Sequence, residues 1–337
     1  MIKKLSVLLL ALLILGLISA FYIVKSSDDY LAQRLSISKP QQITIHSGTS
    51  LNGTLSLLMK KGWIDDNFAA KLIRHLHPEL TQIKAGTYQL LPDMSLQDSL
   101  TLLVSGREFQ FAITFVEGSR FSDWREILAN TSELKQTINN LSEAEIAQQL
   151  GLEHKQLEGL FLAETYHFTK GEVDIDILKR AHRKLDQTLT RAWEKRQADL
   201  PLASPYEALI LASIIEKETA IDAERERIAS VFINRLNKRM RLQTDPTVIY
   251  GMGERYNGRI RKADLREPTA YNTYVINGLP PTPIAMAGEA SIYAALNPEQ
   301  STYLYFVASG QGGHVFSKTL TEHNRAVRAY LKQLRNQ

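Results

Sequence analysis

At 337 residues the chain is longer than one core usually serves, so two folded units are expected, and its 44% hydrophobic content is enough to build them. The formal charge of +4 comes with no run of five or more basic residues, which argues against a dedicated nucleic-acid surface. With no cysteine in the chain, disulfides, thiolate zinc sites, CxxCH haem attachment and a lipid anchor on an N-terminal cysteine are excluded.

Met1-Ile-Lys-Lys4 precedes an uncharged stretch from Leu5 to Val24, after which come Lys25, Asp28 and Asp29. About 20 apolar residues cross a bilayer core of roughly 30 Å, whereas a secretory apolar region is roughly 7–15 residues long. A transmembrane helix over 5–24 is therefore expected, with residues 1–4 cytoplasmic because of Lys3 and Lys4. Everything after Lys25 then lies across the membrane. A cleaved signal peptide ending at Ala20 is the alternative, and Ile18 fits poorly where such a site needs a small residue. Residues 25–40 are polar and short of large aliphatics, so they read as a tether.

The first folded unit is expected over 41–107. Gln41 to His46 alternates like a strand, Leu51–Lys61 and Asp66–His77 carry apolar residues at helical spacing, and Ala85 to Pro92 returns as a strand. A capped helix follows from Ser95 to Leu103 and stops at Gly106. This βααβ order resembles a LysM-type glycan-binding module, whose closing strand ends in a pattern comparable to Gly86…Leu91-Pro92. A small α+β packing unit with no ligand has the same pattern.

The second unit, 108–337, opens with a strand at Phe109–Val116 and a turn into a helix at Glu117 to Asp123. It is then mainly helical to about Ala198, with a break at Gly171. The Lys and Arg residues between 179 and 195 alternate with Leu and Ala at helical spacing, as on a solvated helix face. Ala208 to Thr219 then carries Glu216 and Glu218 out of an almost wholly apolar helix. A carboxyl in apolar surroundings resists ionisation and can keep its proton near neutral pH.

The two glutamates lie about 200° apart around the helix and cannot point the same way. Glu218 lies over Ile215, Ile214 and Leu211, whereas Glu216 lies over Ser213 and Ala212, which makes Glu218 the better proton donor. A purely structural role is also open to both, since Lys217 is adjacent. The segment 222–238 is a patterned helix, with Ile228, Val231, Phe232 and Leu236 inward. Beyond it, Leu242-Gln-Thr-Asp-Pro-Thr-Val248 and Tyr271-Asn-Thr-Tyr274 supply amides, hydroxyls and rings suited to sugars, or to ordinary Asx turns. There is no HExxH pair, no phosphate-binding glycine loop and no Gly-x-Ser-x-Gly elbow. Gly310-Gln-Gly-Gly313 reads as a hairpin turn. Acid–base chemistry by a carboxylate remains, with no metal or cofactor expected.

Glu216-Lys-Glu-Thr219, Val231-Phe-Ile-Asn-Arg-Leu236, Leu242 to Val248, Tyr271 to Tyr274, Gly278-Leu-Pro-Pro281, Tyr303 to Ala308 and Gly313-His-Val-Phe-Ser317 stand in this order behind one apolar segment. Together they resemble the YceG-like, membrane-bound endolytic murein transglycosylases. The resemblance implies an α+β chain with an N-terminal anchor, a LysM-like βααβ subdomain and a mixed α+β catalytic domain. It places the chain in the bacterial inner membrane, single-pass, with its catalytic domain in the periplasm.

The implied activity is lytic cleavage of the MurNAc-β-1,4-GlcNAc bond inside peptidoglycan strands, leaving 1,6-anhydroMurNAc ends and terminating strand elongation. The implied partners are those glycan strands and the peptidoglycan synthases, or penicillin-binding proteins, with no nucleic acid. The second Glu of the family's Glu-Lys-Glu motif is catalytic and falls on Glu218. Gln243, Asp245, Tyr271, Asn272, Tyr274 and Glu216 are candidates for holding the sugars. Thr282, Ala287 and Ala163-Glu164 depart from the family's usual glycine, proline and Pro-Asp. A lysozyme-like hydrolase using Glu218 with Asp245 or Glu216, and a membrane-tethered glycan-binding scaffold without activity, are the alternatives.

Overall fold

The computed structural model describes residues 2–335, with side chains from Lys4 onward. Met1 and the Lys3 side chain, part of the expected cytoplasmic segment, and Asn336 and Gln337 lie outside the described residues. The chain divides into two compact units, Met1–Phe111 and Ala112–Gln337, and its architecture is mixed α and β.

The first unit begins with α1, Ile2–Ala32, which is long and apolar enough to cross a membrane. Its side chains from Leu5 to Val24 are exposed, as a lipid-facing surface requires. The tether expected over 25–40 is, up to Ala32, continuous helix. Ser27, Tyr30, Leu31 and Leu35 are buried in the core of this unit, and the Tyr30 hydroxyl donates to the Asp65 carbonyl at 2.7 Å. A stretch poor in aliphatics can still dock when its few large residues share one face.

Next come β1, Gln41–Ile45, α2, Leu51–Lys60, α3, Ala70–Leu76, β2, Gly86–Leu90, and α4, Leu96–Ser105. β1 and β2 are antiparallel, with Ile43 opposite Tyr88, and both side chains are buried. α4 is bounded by side-chain chemistry: Ser95 and Asp98 form a reciprocal capping box, and Gly106 closes the helix at φ 73°, where glycine has no Cβ penalty.

The second unit opens with β3, Phe111–Thr114, and α5, Phe121–Ala129, followed by α6, Glu143–Leu150. β4, Thr165–Phe168, lies inside the segment read from sequence as mainly helical. It pairs with β3, and its alternating burial, with Tyr166 and Phe168 inward, is a strand's. Only four residues long, it leaves little periodicity to detect. α7, Asp174–Glu194, α8, Pro205–Glu218, α9, Asp222–Asn237, and α10, Asp245–Met252, lead to α11, Glu289–Leu296. The hairpin of β5, Tyr305–Ala308, and β6, His314–Ser317, turns through Gly310 to Gly313, and α12, Leu320–Arg335, ends the described chain.

α8 is the centre of this unit and packs against α7, α9, α10 and α11. Every residue from Ala208 to Ile215 is buried, so the helix is apolar all round rather than on one stripe. Pro205 at its first turn and the Ser204 side chain, which accepts the Glu207 N–H, fix its start. Its far end delivers Glu218.

Candidate active site

Glu218 is the last residue of α8 and lines a cleft of about 410 Å³. Around it stand Phe232 and Arg235 from α9, Gln243, Thr244 and Asp245 at the start of α10, Tyr274, Tyr305 and Phe306, and His323 on α12. Burial pushes the Glu218 carboxyl up to about 7, with Asp245 adding to the rise. A hydrogen bond from Thr244 and the imidazole of His314 oppose that rise. The carboxyl therefore holds its proton over much of the neutral range, as a general acid must.

The Thr244 hydroxyl donates directly to Glu218 Oε1. Two further buried threonines, Thr247 and Thr273, fix the backbone that carries it. The Thr244 N–H donates to Thr273 Oγ1 at 3.1 Å, Thr247 Oγ1 donates to the Thr244 carbonyl at 2.7 Å, and the Thr247 and Thr273 hydroxyls are 2.8 Å apart. The preceding residue, Gln243, sits at φ 51°, a left-handed conformation that side chains disfavour by about 1–2 kcal/mol. Its N–H reaches the Thr273 carbonyl at 3.2 Å, and Arg235 braces the same loop by donating to the carbonyls of Leu242 at 2.8 Å and Arg241 at 3.1 Å. Arg235 also donates to the Leu304 carbonyl at 2.7 Å and lies 5.0 Å from the Tyr305 ring.

Asp245 shares the cleft, and its Oδ1 accepts a 2.6 Å hydrogen bond from the Tyr274 hydroxyl. Tyr274 is held above its ordinary pKa by burial and by Asp245, so it stays a donor. His323 stacks on Tyr305 with centroids 5.2 Å apart, and burial followed by Arg235 lowers its pKa, which keeps the ring neutral. Its Nδ1 is buried without a hydrogen-bond partner among the described residues.

The profile of the YceG-like family matches residues 43–329. The chain belongs to the YceG-like family. It is 34% identical over 306 residues to a Bacillus subtilis protein named endolytic murein transglycosylase, covering 86% of this chain and 84% of that one. A Streptococcus pneumoniae protein of the same name is 26% identical over 289 residues. The alignment covers 76% of this chain but 52% of the streptococcal one, so the match spans about half of that relative's length. The crystal structure of a YceG-like protein from Listeria monocytogenes aligns at a TM-score of 0.50 and 30% identity, over 85% of this chain and 99% of that one.

Of the residues singled out from sequence, Glu218, Gln243, Asp245 and Tyr274 share the cleft, whereas Glu216, Tyr271 and Asn272 are not among its lining residues. Glu216 accepts the Gly288 N–H at 3.0 Å and neighbours Glu117, whose carboxyl is raised by burial and then by Glu216. A side chain at Gly288 would meet Glu117 Oε1 at 1.9 Å, so any larger residue there would displace the Glu117 carboxyl. Asn272 is buried and spends its amide N–H groups on the carbonyls of Asp264 and Glu267, at 3.0 and 2.8 Å. The Tyr271 hydroxyl shares a 2.8 Å hydrogen bond with Thr282, so the threonine that departs from the family's usual glycine is tied to a motif tyrosine.

Thr244 and Arg235 were not singled out in the sequence, although both lie inside quoted motifs. A hydroxyl one residue before a motif acid was the available signal for Thr244. Tyr305 and His323 reach the cleft from β5 and α12; Tyr305 lies inside the quoted motif Tyr303 to Ala308, whereas no quoted motif covers His323.

Proposed function

We propose that this chain cuts peptidoglycan glycan strands internally as a lytic transglycosylase. α1 would anchor it in the cytoplasmic membrane, with both folded units on the periplasmic side. The observation that carries the reading is Glu218: one carboxylic acid with a pKa of about 7, at the end of a buried helix and open to a polar cleft. The names of the relatives, endolytic murein transglycosylases, and the family membership support the substrate.

In this reading Glu218 donates its proton to the glycosidic oxygen between N-acetylmuramic acid and N-acetylglucosamine as positive character builds at the muramyl C1. The C1–O bond breaks, and the resulting carboxylate takes the proton of the muramyl C6 hydroxyl. O6 closes on C1 to form the 1,6-anhydro ring, and Glu218 is again protonated. Water is not consumed, so no second carboxylate is needed as nucleophile or base. Gln243, Asp245 and Tyr274 would hold the sugars beside Glu218. Lys3 and Lys4, with the uncharged stretch after them, support this orientation of the anchor. The βααβ order of the first unit supports a LysM-like module, and an association with peptidoglycan synthases rests on the family resemblance alone.

Because Asp245 lines the same cleft, a lysozyme-like hydrolase is the second reading. Digestion of purified peptidoglycan by the full chain in detergent, followed by mass spectrometry, separates the two. Internal fragments ending in 1,6-anhydromuramic acid, about 18 Da lighter than reducing-end products, are expected. Reducing ends would instead assign Asp245 to water activation. Intact strands would mean a glycan-binding scaffold and would sink the proposal.

A further inference from the structure

Tyr206 and Glu218 occupy opposite ends of α8, about 18 Å apart along the helix axis at 1.5 Å per residue. The Tyr206 ring stacks on exposed His154, with centroids 4.6 Å apart and planes 12° from parallel. Its phenol lies close enough to Tyr271 to interact with it electrostatically. Tyr271 meets Tyr250 edge to face at 4.7 Å, and the Arg120 guanidinium covers Tyr250 at 5.1 Å. Gln156, exposed, faces the Tyr271 hydroxyl at 3.5 Å. The three tyrosines are half-buried, so the row is neither core nor a scatter of solvated rings.

This row joins the cleft twice. α10 carries Asp245 into the cleft at its first turn and Tyr250 into the row about 7.5 Å further along its axis. The segment 271–274 places Tyr274 in the cleft and Tyr271 in the row. A ligand leaving the cleft along either segment therefore meets the tyrosines next.

The chemistry selects the ligand. Ring faces bordered by an amide, phenols and the Arg120 guanidinium, with the Glu158 and Glu143 carboxylates near enough to act on Tyr250, match a pyranose, which offers an apolar C–H face and a rim of hydroxyls. An apolar ligand would leave Gln156 and Arg120 without partners, at a desolvation cost. A polyanion would call for more than one cation. We propose that Tyr206, Tyr250, Tyr271 and His154 form a distal saccharide platform that holds a glycan strand several sugars away from Glu218. The inference rests on the proposed function and deepens it: a strand gripped at both places is cut internally rather than at its end.

Binding by a cleavage-inactive chain tests the platform separately from the activity. Full-length Glu218→Gln in detergent micelles is titrated with long peptide-free glycan strands and with a tetrasaccharide of the same sugars. Adding Tyr206→Ala is expected to weaken long-strand binding roughly five- to tenfold and to change tetrasaccharide binding less than about twofold. Tyr206→Trp, which keeps a stacking face, should retain long-strand affinity. An unchanged long-strand affinity, or equal losses for both ligands in a variant with unaltered melting, would overturn the platform and leave the row as packing or a protein-docking surface. Because nothing is cut, either result stands whatever product the wild type makes.

Discussion

Thr244 donates its hydroxyl to Glu218 Oε1 while its own backbone is fixed by Thr247 and Thr273. With Oε1 accepting, the carboxyl proton is left to Oε2, so in the proposed mechanism Thr244 sets which oxygen of the acid reacts. That hydrogen bond also lowers the Glu218 pKa against the upward push of burial. Replacing Thr244 by Val removes the lowering contribution, so the Glu218 pKa should climb above about 7. The alkaline limb of the pH–rate profile should move to higher pH, while kcat falls about tenfold because the acid loses its orientation. Thr244→Ser should restore both. An unshifted limb in the Val variant would show that Thr244 does not act through Glu218.

Glu218→Gln should abolish most turnover, by roughly 10²–10⁴-fold, the usual scale for a general acid. Its effect on stability depends on pH, and the sign follows from the raised pKa. The unfolded carboxyl ionises near 4.5 and the folded one near 7. Below about 4.5 both states are protonated and the native state carries no penalty. As pH rises through this window the unfolded state loses its proton first, so the wild type loses stability until about 7 and not beyond. The amide cannot ionise and still accepts from Thr244. The variant should therefore nearly match the wild type at pH 4.5 and exceed it by about 3 kcal/mol at pH 8. Thermal melts at the two pH values read this directly, and a variant less stable at both would contradict a buried, unpaired carboxylate.

Much of this site could be read from residue order, because helix periodicity assigns faces before any contact is known. The stripe of Leu211, Ile214 and Ile215 put Glu218 on the apolar side, and the structure buries all three. The capped helix at Ser95 and the turn at Gly310 to Gly313 were also visible, since their chemistry is local. Asn272 and Glu216 were less accessible. Both are polar groups beside a motif, and only the fold reveals that the Asn272 amide is spent on two carbonyls and that Glu216 turns toward Gly288. Tyr305 and His323 come together with Glu218 through long-range packing, which one sequence does not encode at any fixed spacing.

Arg235 is a buried guanidinium that holds three backbone carbonyls, those of Leu304, Leu242 and Arg241, with no carboxylate hydrogen-bonded to it among the described residues. Its role is to clamp the loop carrying Gln243 and Thr244 against β5. Arg235→Lys keeps the charge but loses the planar fork that reaches several acceptors at once. Carbonyls left unpaired cost about 1–3 kcal/mol each, so a drop of roughly 2–4 kcal/mol in unfolding free energy is expected. A denaturant titration checks it, and the pH–rate limb should shift with the Thr244 variant's because the same loop is released. A stable Lys variant with a normal profile would remove Arg235 from the positioning of the acid.

The junction between anchor and first unit gives the last prediction. α1 runs through Ala32, and Tyr30, Leu31 and Leu35 are buried in the core that also contains Ile43, Leu58 and Tyr88. Two further ties hold the segment: the Leu35 N–H donates to the Met94 carbonyl at 3.0 Å, and the Ser36 N–H to that of Trp63 at 2.8 Å. A soluble fragment starting at Ser26 keeps all of these groups, whereas one starting at Gln41 deletes them. Each large apolar side chain removed forfeits roughly 1.5–3 kcal/mol of burial, which is a large share of the stability of a small unit. The fragment 26–337 should therefore resist protease across residues 41–107, and 41–337 should be cleaved there rapidly. Equal protection of the two fragments would mean that the end of α1 rests on the first unit without supporting it.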